Sequence, residues 1–174
     1  MNRFGTLVAM VSAALLVVAA AVPVSARSPV GEASGDVTWD GQGGLRPGRT
    51  SVFQVRDGAP GEVSSRLDGG TYDYSEIGKG SLRMRVSCVR VDGNWAEFSG
   101  KVVGATGVYA AGKKLGYTFL VQVIDGEPVS SVDDIGMNAY TTLAEACAEA
   151  LNDSLWTGQN GNVTGGDIRV HDPR

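Results

Sequence analysis

Residues 81–104 read SLRMRVSCVRVDGNWAEFSGKVVG and predict two β-strands joined by a tight turn. On the first strand an apolar face (Leu82, Met84, Val86, Cys88) alternates with a polar one (Arg83, Arg85, Ser87), as in a half-buried strand. Asp92-Gly93 is a pair typical of a two-residue β-hairpin. The returning segment, 95–103, places Ala96, Phe98, Gly100 and Val102 on one face. The stretch therefore predicts an antiparallel hairpin at the centre of the fold.

Short runs of the same kind, broken by glycine, continue along the chain. They are RTSVFQVRDG (49–58), GEVSSRLDGG (61–70), TYDYSEI (71–77), KLGYTFLVQVID (114–125) and GNVTGGDIRVHD (161–172). In the run 114–125 both faces are partly apolar, so we expect that strand to be covered on both sides. Glycine-punctuated strands at such short spacing are typical of all-β domains.

One segment, TTLAEACAEALND (141–153), predicts a helix. Thr142 and Glu145 have the spacing of a capping box, and Leu143, Cys147 and Leu151 recur every four residues. The whole chain therefore predicts an all-β fold, an antiparallel barrel or sandwich of about eight strands with one short helix near residues 141–152.

The N-terminal 26 residues predict a secretory signal peptide. Arg3 precedes an apolar run that ends in small residues, Val24-Ser25-Ala26, where a signal peptidase cuts. A retained membrane anchor is the alternative interpretation. We expect residues 27–35 to form a flexible lead-in, residues 36–174 a single antiparallel β domain, and the mature protein to be secreted and extracellular.

The net charge of the chain argues against some classes of binding partner. Removing Arg3 with the leader changes the formal charge from −4 to −5. An acidic chain without a cluster of Lys and Arg in its sequence argues against nucleic acid and against docking on anionic lipid. No membrane insertion is expected after signal cleavage.

The two cysteines, Cys88 and Cys147, both lie in the exported part. In an oxidising compartment an even number of cysteines indicates a disulfide, here between the helix and the central hairpin. Two buried free thiols are the alternative.

Residues 107–116, GVYAAGKKLG, resemble a phosphate-binding loop. However, Lys114 stands where a Ser or Thr hydroxyl should hold magnesium, and a strand is expected from Leu115 where the loop requires a helix. We therefore interpret 104–114 as a glycine-rich connection between strands, with Lys113 and Lys114 in solvent.

Candidate catalytic groups are few. His171 is the one histidine, which excludes metal sites with several histidines, and there is no G-x-S-x-G elbow to present a serine. Two carboxylates could still cleave glycosides, but the adjacent Asp133 and Asp134 would point to opposite faces of a strand. Two polar turns supply oxygen ligands suited to calcium, the only cofactor that the sequence suggests: Asp133, Asp134, Asn160, Asn162 and Asp167.

Aromatic residues suggest a binding surface. Five of them fall near predicted turns or strand ends: Trp39, Tyr72, Tyr74, Tyr109 and Trp156. Exposed aromatics around a barrel mouth can bind sugars or small apolar ligands. The alternative is that most of them plug the ends of the barrel.

Four motifs in order carry a resemblance. F-x-V begins at Phe53, C-x-x-V-x-G-N-x-A-x-F-S-G-x-V at Cys88, F-x-V-x-x-x-D-G at Phe119 and G-G-D-I-x-V-H at Gly165. Together they resemble an uncharacterised family of small exported all-β bacterial proteins. The resemblance implies an extracellular β domain and supplies no catalytic residue.

Three functions follow as hypotheses. The leading one is a secreted non-enzymatic domain that binds a small ligand, glycan or cell-envelope component through loops at one end. The second is a structural or adhesive surface protein that uses strand faces and edges. The third is a secreted hydrolase that uses carboxylates.

Overall fold

The structure, a computed structural model, describes residues 30–40, 48–58, 68–126, 133–150 and 160–173. Eight antiparallel strands each pair with the next along the chain, and the last pairs with the first. The fold is therefore a closed up-and-down barrel, which confirms the all-β prediction and decides between barrel and sandwich.

The strands are β1 (Gly31–Trp39), β2 (Arg49–Asp57), β3 (Gly69–Glu76), β4 (Gly80–Asp92), β5 (Trp95–Ala105), β6 (Thr118–Ile124), β7 (Asp134–Tyr140) and β8 (Asn160–His171). The helices are α1 (Val108–Lys114) and α2 (Leu143–Ala150). Among the described residues, no helix has the length and apolar character needed to cross a membrane. The predicted signal peptide and most of the run 61–70 lie outside the described residues.

The central hairpin is confirmed, with two differences in detail. Its turn is Gly93-Asn94, one residue later than predicted, because Asp92 pairs with Trp95. Gly93 has a φ of 59° and Asn94 a negative one, as in a type II′ turn. A register shift between Val86 and Cys88 marks a β-bulge, so Cys88 does not share the inward face of Leu82, Met84 and Val86.

Two layers of apolar side chains result. The larger one fills the barrel, where Phe53, Tyr72, Met84, Phe98 and Ile168 are each at most 3% exposed. The smaller layer lies outside the wall, where α2 packs across β5 and β6. There Cys88 and Leu120 are buried together with Ala146 and Ala150 of α2.

Cys88 and Cys147 form the predicted disulfide, with their Cα atoms 5.7 Å apart. It ties α2 to β4 at the bulge. Since α2 covers the outer face of β6, Leu120 and Gln122 are as buried as Val121 and Val123 on the inner face. The prediction that this strand is covered on both sides is confirmed.

Three predictions about boundaries were wrong. The lead-in predicted for 27–35 becomes strand at Gly31, because its residues from Glu32 onward pair with both β2 and β8. The connection 104–114 contains the helix α1. The strand predicted from Leu115 begins at Thr118, since the backbone N–H groups of 115–117 still bond to α1.

The up-and-down order places alternate connections at opposite ends of the barrel. One end, which we call the α1 end, carries residues 77–79, 106–117 and the start of α2. The opposite end carries the hairpin turn 93–94, the start of β1 and the end of β8.

Candidate functional site

Four of the five aromatic residues singled out in the sequence meet inside the α1 end. The ring centroid of Tyr74 lies 6.0 Å from that of Trp39, 6.4 Å from that of Tyr72 and 5.5 Å from that of Tyr109. Trp156 lies outside the described residues. Four of the residues grouped from the sequence therefore do lie together, and they come from β1, β3 and α1.

These rings are not the exposed surface that was predicted. Trp39, Tyr72 and Tyr74 are at most 3% exposed, and Tyr109 packs against them from α1. The reason is the period of two along β3, which turns both tyrosines of Tyr72-Asp73-Tyr74 inward. The alternative, that the aromatics plug the barrel, agrees with these positions.

A hydrogen-bonded chain fixes the polar atoms of the cluster. Trp39 Nε1 donates to Ser51 Oγ at 2.9 Å, and Ser51 Oγ lies 3.0 Å from Tyr72 Oη. All three residues are buried, so each bond removes the cost of an unsatisfied polar group. The bonds also hold the rings in one arrangement.

Glu76 is the ionised centre of the α1 end. Its Oε2 accepts from Tyr109 Oη at 2.7 Å and from Tyr74 Oη at 3.0 Å, while Lys79 Nζ lies 2.8 Å from Oε1. Burial alone would raise the pKa of this carboxyl, but these hydrogen bonds and the charge of Arg49 lower it to about 2. The carboxylate is therefore charged at neutral pH and satisfied from within.

Arg49 adds a second cation. Its guanidinium carbon lies 4.8 Å from the centroid of the Trp39 ring, a cation–π contact. Its Nε is 3.6 Å from Glu76 Oε1, which is too long for a hydrogen bond, and this buried atom has no other partner in the described part of the chain.

The arrangement does not provide acid–base chemistry near neutral pH. Burial raises the pKa values of Tyr72 and Tyr74, so their hydroxyls remain protonated. The lowered pKa of Glu76 makes it a poor proton acceptor. Among the described residues, Arg49 Nε is the one buried side-chain polar atom at this end without a hydrogen bond. The groups that are accessible from outside lie on the outer surface of this end.

That outer surface carries exposed aliphatic side chains. Ile77 of the β3–β4 turn is 82% exposed, Val108 of α1 61%, and Leu115 at the C-cap of α1 69%. The turn and the helix are in contact, because the backbone N–H of Val108 donates to the carbonyl of Lys79 at 2.9 Å. We call Ile77, Val108 and Leu115 the apolar crest.

Lysines surround the crest. Lys79 follows Ile77 in the turn, and Lys113 and Lys114 form the last turn of α1. Lys113 Nζ donates to the carbonyl of Val103 at 2.7 Å. The chain has four lysines, and the fourth, Lys101, is exposed on the barrel wall, where it lies opposite Arg85 of β4.

Aspartates dominate the opposite end, where they accept backbone hydrogen bonds. Asp133 accepts from the N–H groups of Gly126 and Ile168 at 2.9 and 2.8 Å, and Asp125 from that of Val170 at 3.1 Å. These bonds extend the short β7–β8 ladder, which covers only Asp134–Gly136 of β7. The carboxylates thus complete the closure of the barrel.

The predicted calcium ligands are only partly brought together. Asp134 pairs with Asn162 and Gly136 with Asn160 across the β7–β8 ladder, but Asp167 lies on the outer wall, 2.8 Å from Arg169. No three His, Cys, Asp or Glu side chains in the described ranges form a group suited to a metal ion. Asp133 has the structural role given above, and the calcium site stays a prediction.

The structure does not agree with a phosphate-binding loop at residues 107–116, although the strand expected from Leu115 begins only at Thr118. Gly112 and Lys113 lie inside α1, so they do not form a loop in front of a helix.

His171 is exposed at the end of β8, opposite Glu32.

Sequence reasoning missed Glu76 and Glu97. Glu76 continues the inward alternation of Tyr72 and Tyr74, a signal that could have been used. Glu97 lies between Ala96 and Phe98, which face the interior, and its outward side chain is only 2% exposed because α2 covers it.

A shallow groove lies on the outer wall of the barrel. It measures about 580 Å³ and crosses β1, β2, β3 and β8. Several polar and charged side chains line it: Ser34, Asp36, Gln54, Thr71, Asp73 and Arg169. Val52, which is 48% exposed, supplies an apolar side chain.

No known family model, curated protein or solved structure matches this chain. The class defined by the fold is that of closed eight-stranded antiparallel barrels. Barrels of this size are just wide enough for side chains to fill or for one small ligand, and in the described part of this one a cluster of buried side chains occupies the interior. The resemblance to the exported bacterial family stays a prediction.

Proposed function

We propose that this protein is a secreted, non-enzymatic binding domain whose α1 end attaches it to a component of the cell envelope. The apolar crest with its lysines carries the proposal. Large aliphatic side chains that are exposed together at one end of a soluble fold are typical of interaction sites. A filled interior leaves the outer surface as the place for recognition.

The two rival hypotheses have less support. The structural or adhesive alternative would use strand faces and edges. Its edges are limited here because every strand pairs with both neighbours, although β7 pairs with β8 only over Asp134–Gly136. A carboxylate hydrolase needs two carboxyls across one cleft. The buried glutamates do not provide this, because Glu76 faces the barrel interior and Glu97 faces α2 outside the wall. Asp36, Asp73 and Asp167 line the outer groove, so a hydrolase would have to use that groove.

Glycan binding in the outer groove is a second candidate. Carboxylates, hydroxyls and the amide of Gln54 surround an exposed Val52, and such groups can bond to sugar hydroxyls. Variants of the crest and of the groove separate the two candidates.

The test is co-sedimentation with envelope fragments of the cells that make the protein. The variant I77S/V108S/L115S should lose at least tenfold in bound fraction, since these side chains are the proposed contact. Val52→Ser is the matched control, because it removes an exposed aliphatic group elsewhere. Thermal melting should show both variants folded. Equal binding by the crest variant contradicts the proposal, and selective loss in the control favours the groove.

A further inference from the structure

The crest has a shape that suits a surface better than a pocket. On α1, Val108, Ala111 and Leu115 are spaced as i, i+3 and i+7, so they share one face, and all three are exposed. Tyr109 on the opposite face anchors the helix in the barrel. Together with Ile77 of the β3–β4 turn, this helix face forms the exposed apolar surface of the barrel end.

Charge is separated along the barrel. Lys79, Lys113 and Lys114 belong to the same turn and helix as the crest. Of the described carboxylates at this end, Glu76 is buried and bonded to Lys79, while Asp40 follows β1 and Glu145 lies in the first turn of α2. The opposite end holds Asp57, Asp92, Asp125, Asp133 and Asp172.

The strands between the two ends are long compared with electrostatic screening. The strands have 7 to 13 residues, which is roughly 23–43 Å of strand at about 3.3 Å per residue, and charges are screened beyond about 10 Å. A surface that meets the α1 end therefore meets the lysines and not the net charge of the chain. The expectation against anionic lipid rested on that net charge and on the lack of a Lys and Arg cluster in the sequence, whereas the fold brings Lys79 to the same end as Lys113 and Lys114.

We propose that the envelope component is an anionic lipid bilayer, on which the crest inserts its aliphatic side chains while the lysines contact lipid phosphates. This inference rests on the proposed function. Lysine stems can lie along apolar surface while their ammonium groups stay at the headgroups. Tyr117, which is 38% exposed beside Leu115, lies where aromatic residues favour the interface.

An acidic protein is the other partner that such charges could attract. A stable protein interface buries about 800 Å² on each partner and has a packed apolar centre. The crest offers three exposed aliphatic side chains, fewer than such an apolar centre needs. A bilayer interface accepts such side chains without shape complementarity, so the geometry favours lipid.

The experiment uses the chain from Arg27, which contains every described element, and vesicles of phosphatidylcholine with or without phosphatidylglycerol. Binding should require phosphatidylglycerol and fall steeply as salt is raised. K113Q/K114Q should bind about 25-fold more weakly, about fivefold for each lysine. Arg85→Gln, which removes an exposed cation on the barrel wall, should bind as the wild type does.

The outcomes separate this inference from the proposed function. Binding to phosphatidylglycerol vesicles that is weakened in both I77S/V108S/L115S and K113Q/K114Q supports it. Failure to bind these vesicles, or equal binding to neutral ones, overturns it. If envelope fragments still bind and protease treatment of the fragments abolishes that binding, the partner is a protein and only the lipid inference falls. If neither envelopes nor vesicles bind, both proposals fall.

Discussion

Two glutamates are buried in this barrel, and their surroundings move their pKa values in opposite directions. Glu76 receives hydrogen bonds from two tyrosines and a lysine, which outweigh the effect of burial. Glu97 is also buried, and its pKa rises to about 7. Arg90 and the hydrogen bond from Gln122 at 2.8 Å oppose that rise, while Glu149 of α2 adds to it. Hydrogen-bonding and charged partners, more than the depth of burial, decide the charge state of each carboxyl.

We expect Glu97 to make the protein less stable as pH rises. Because its folded pKa of about 7 exceeds its ordinary value of 4.5, the folded state holds the proton more tightly than the unfolded state. Stability should fall between about pH 4.5 and 7, by roughly 3 kcal/mol at most. Glu97→Gln should flatten this part of the profile, as measured by urea unfolding at several pH values. An unchanged pH profile would show that Glu97 is ionised without penalty in the folded protein.

Glu76 should act in the opposite sense. Its folded pKa of about 2 lies below its ordinary 4.5, so it stabilises the fold above pH 4.5, and that contribution is lost as pH falls toward 2. Glu76→Gln should therefore lower the free energy of unfolding at pH 7 by up to roughly 3 kcal/mol. Asp73→Asn, which breaks the exposed pair with Arg83, is the control and should cost about 0–1 kcal/mol. Equal losses in the two variants would contradict the assigned role of Glu76.

At the scale of elements, local signals predicted the hairpin and α2 but not the bulge or α1. The alternation through Cys88 is regular in the sequence, and only the pairing of Val86 with Gly100 and Cys88 with Ser99 reveals the extra residue. α1 is two turns long and contains Gly112, so its own propensity is weak. The packing of Tyr109 in the barrel end stabilises this helix, and no local sequence pattern indicates that packing.

The disulfide should supply a large part of the stability of α2 and of the barrel. Cys88 and Cys147 are 59 residues apart, and closing a loop of that size stabilises by about 4 kcal/mol in the chain-entropy model. Cys88→Ser should lose about that amount in urea unfolding. C88S/C147S is the control and should match the single variant, because the second sulfur has no further role. A loss below about 1 kcal/mol would place the stability of α2 in its packing on Leu120 instead.

At the scale of the whole molecule, closure could not be predicted from sequence. The pairing that closes the barrel joins residues as distant as Glu32 and His171, and neither carries a local signal for its partner. The carboxylate of Asp133, which extends the seam, looked like a metal ligand for the same reason, since its backbone partner Ile168 on β8 is not visible along the chain. The sequence identified members of the aromatic cluster. Whether they line the mouth of the barrel or fill it depends on barrel closure, which the sequence does not reveal.

The filled interior leads to a last prediction. Phe98 is fully buried between Phe53 and Tyr72, with ring centroids 5.5 and 5.7 Å away. Phe98→Ala should cost about 3–5 kcal/mol and leave an apolar cavity that stays dry and accepts a small aromatic molecule. Benzene should then raise the melting temperature of the variant, by linkage, and leave that of the wild type unchanged. Val52→Ala, an exposed change on the wall, is the control for solvent effects. A rise in the wild type as large as in the variant would mean that the native barrel already holds a ligand cavity, and small-ligand binding would then replace attachment through the α1 end as the leading function.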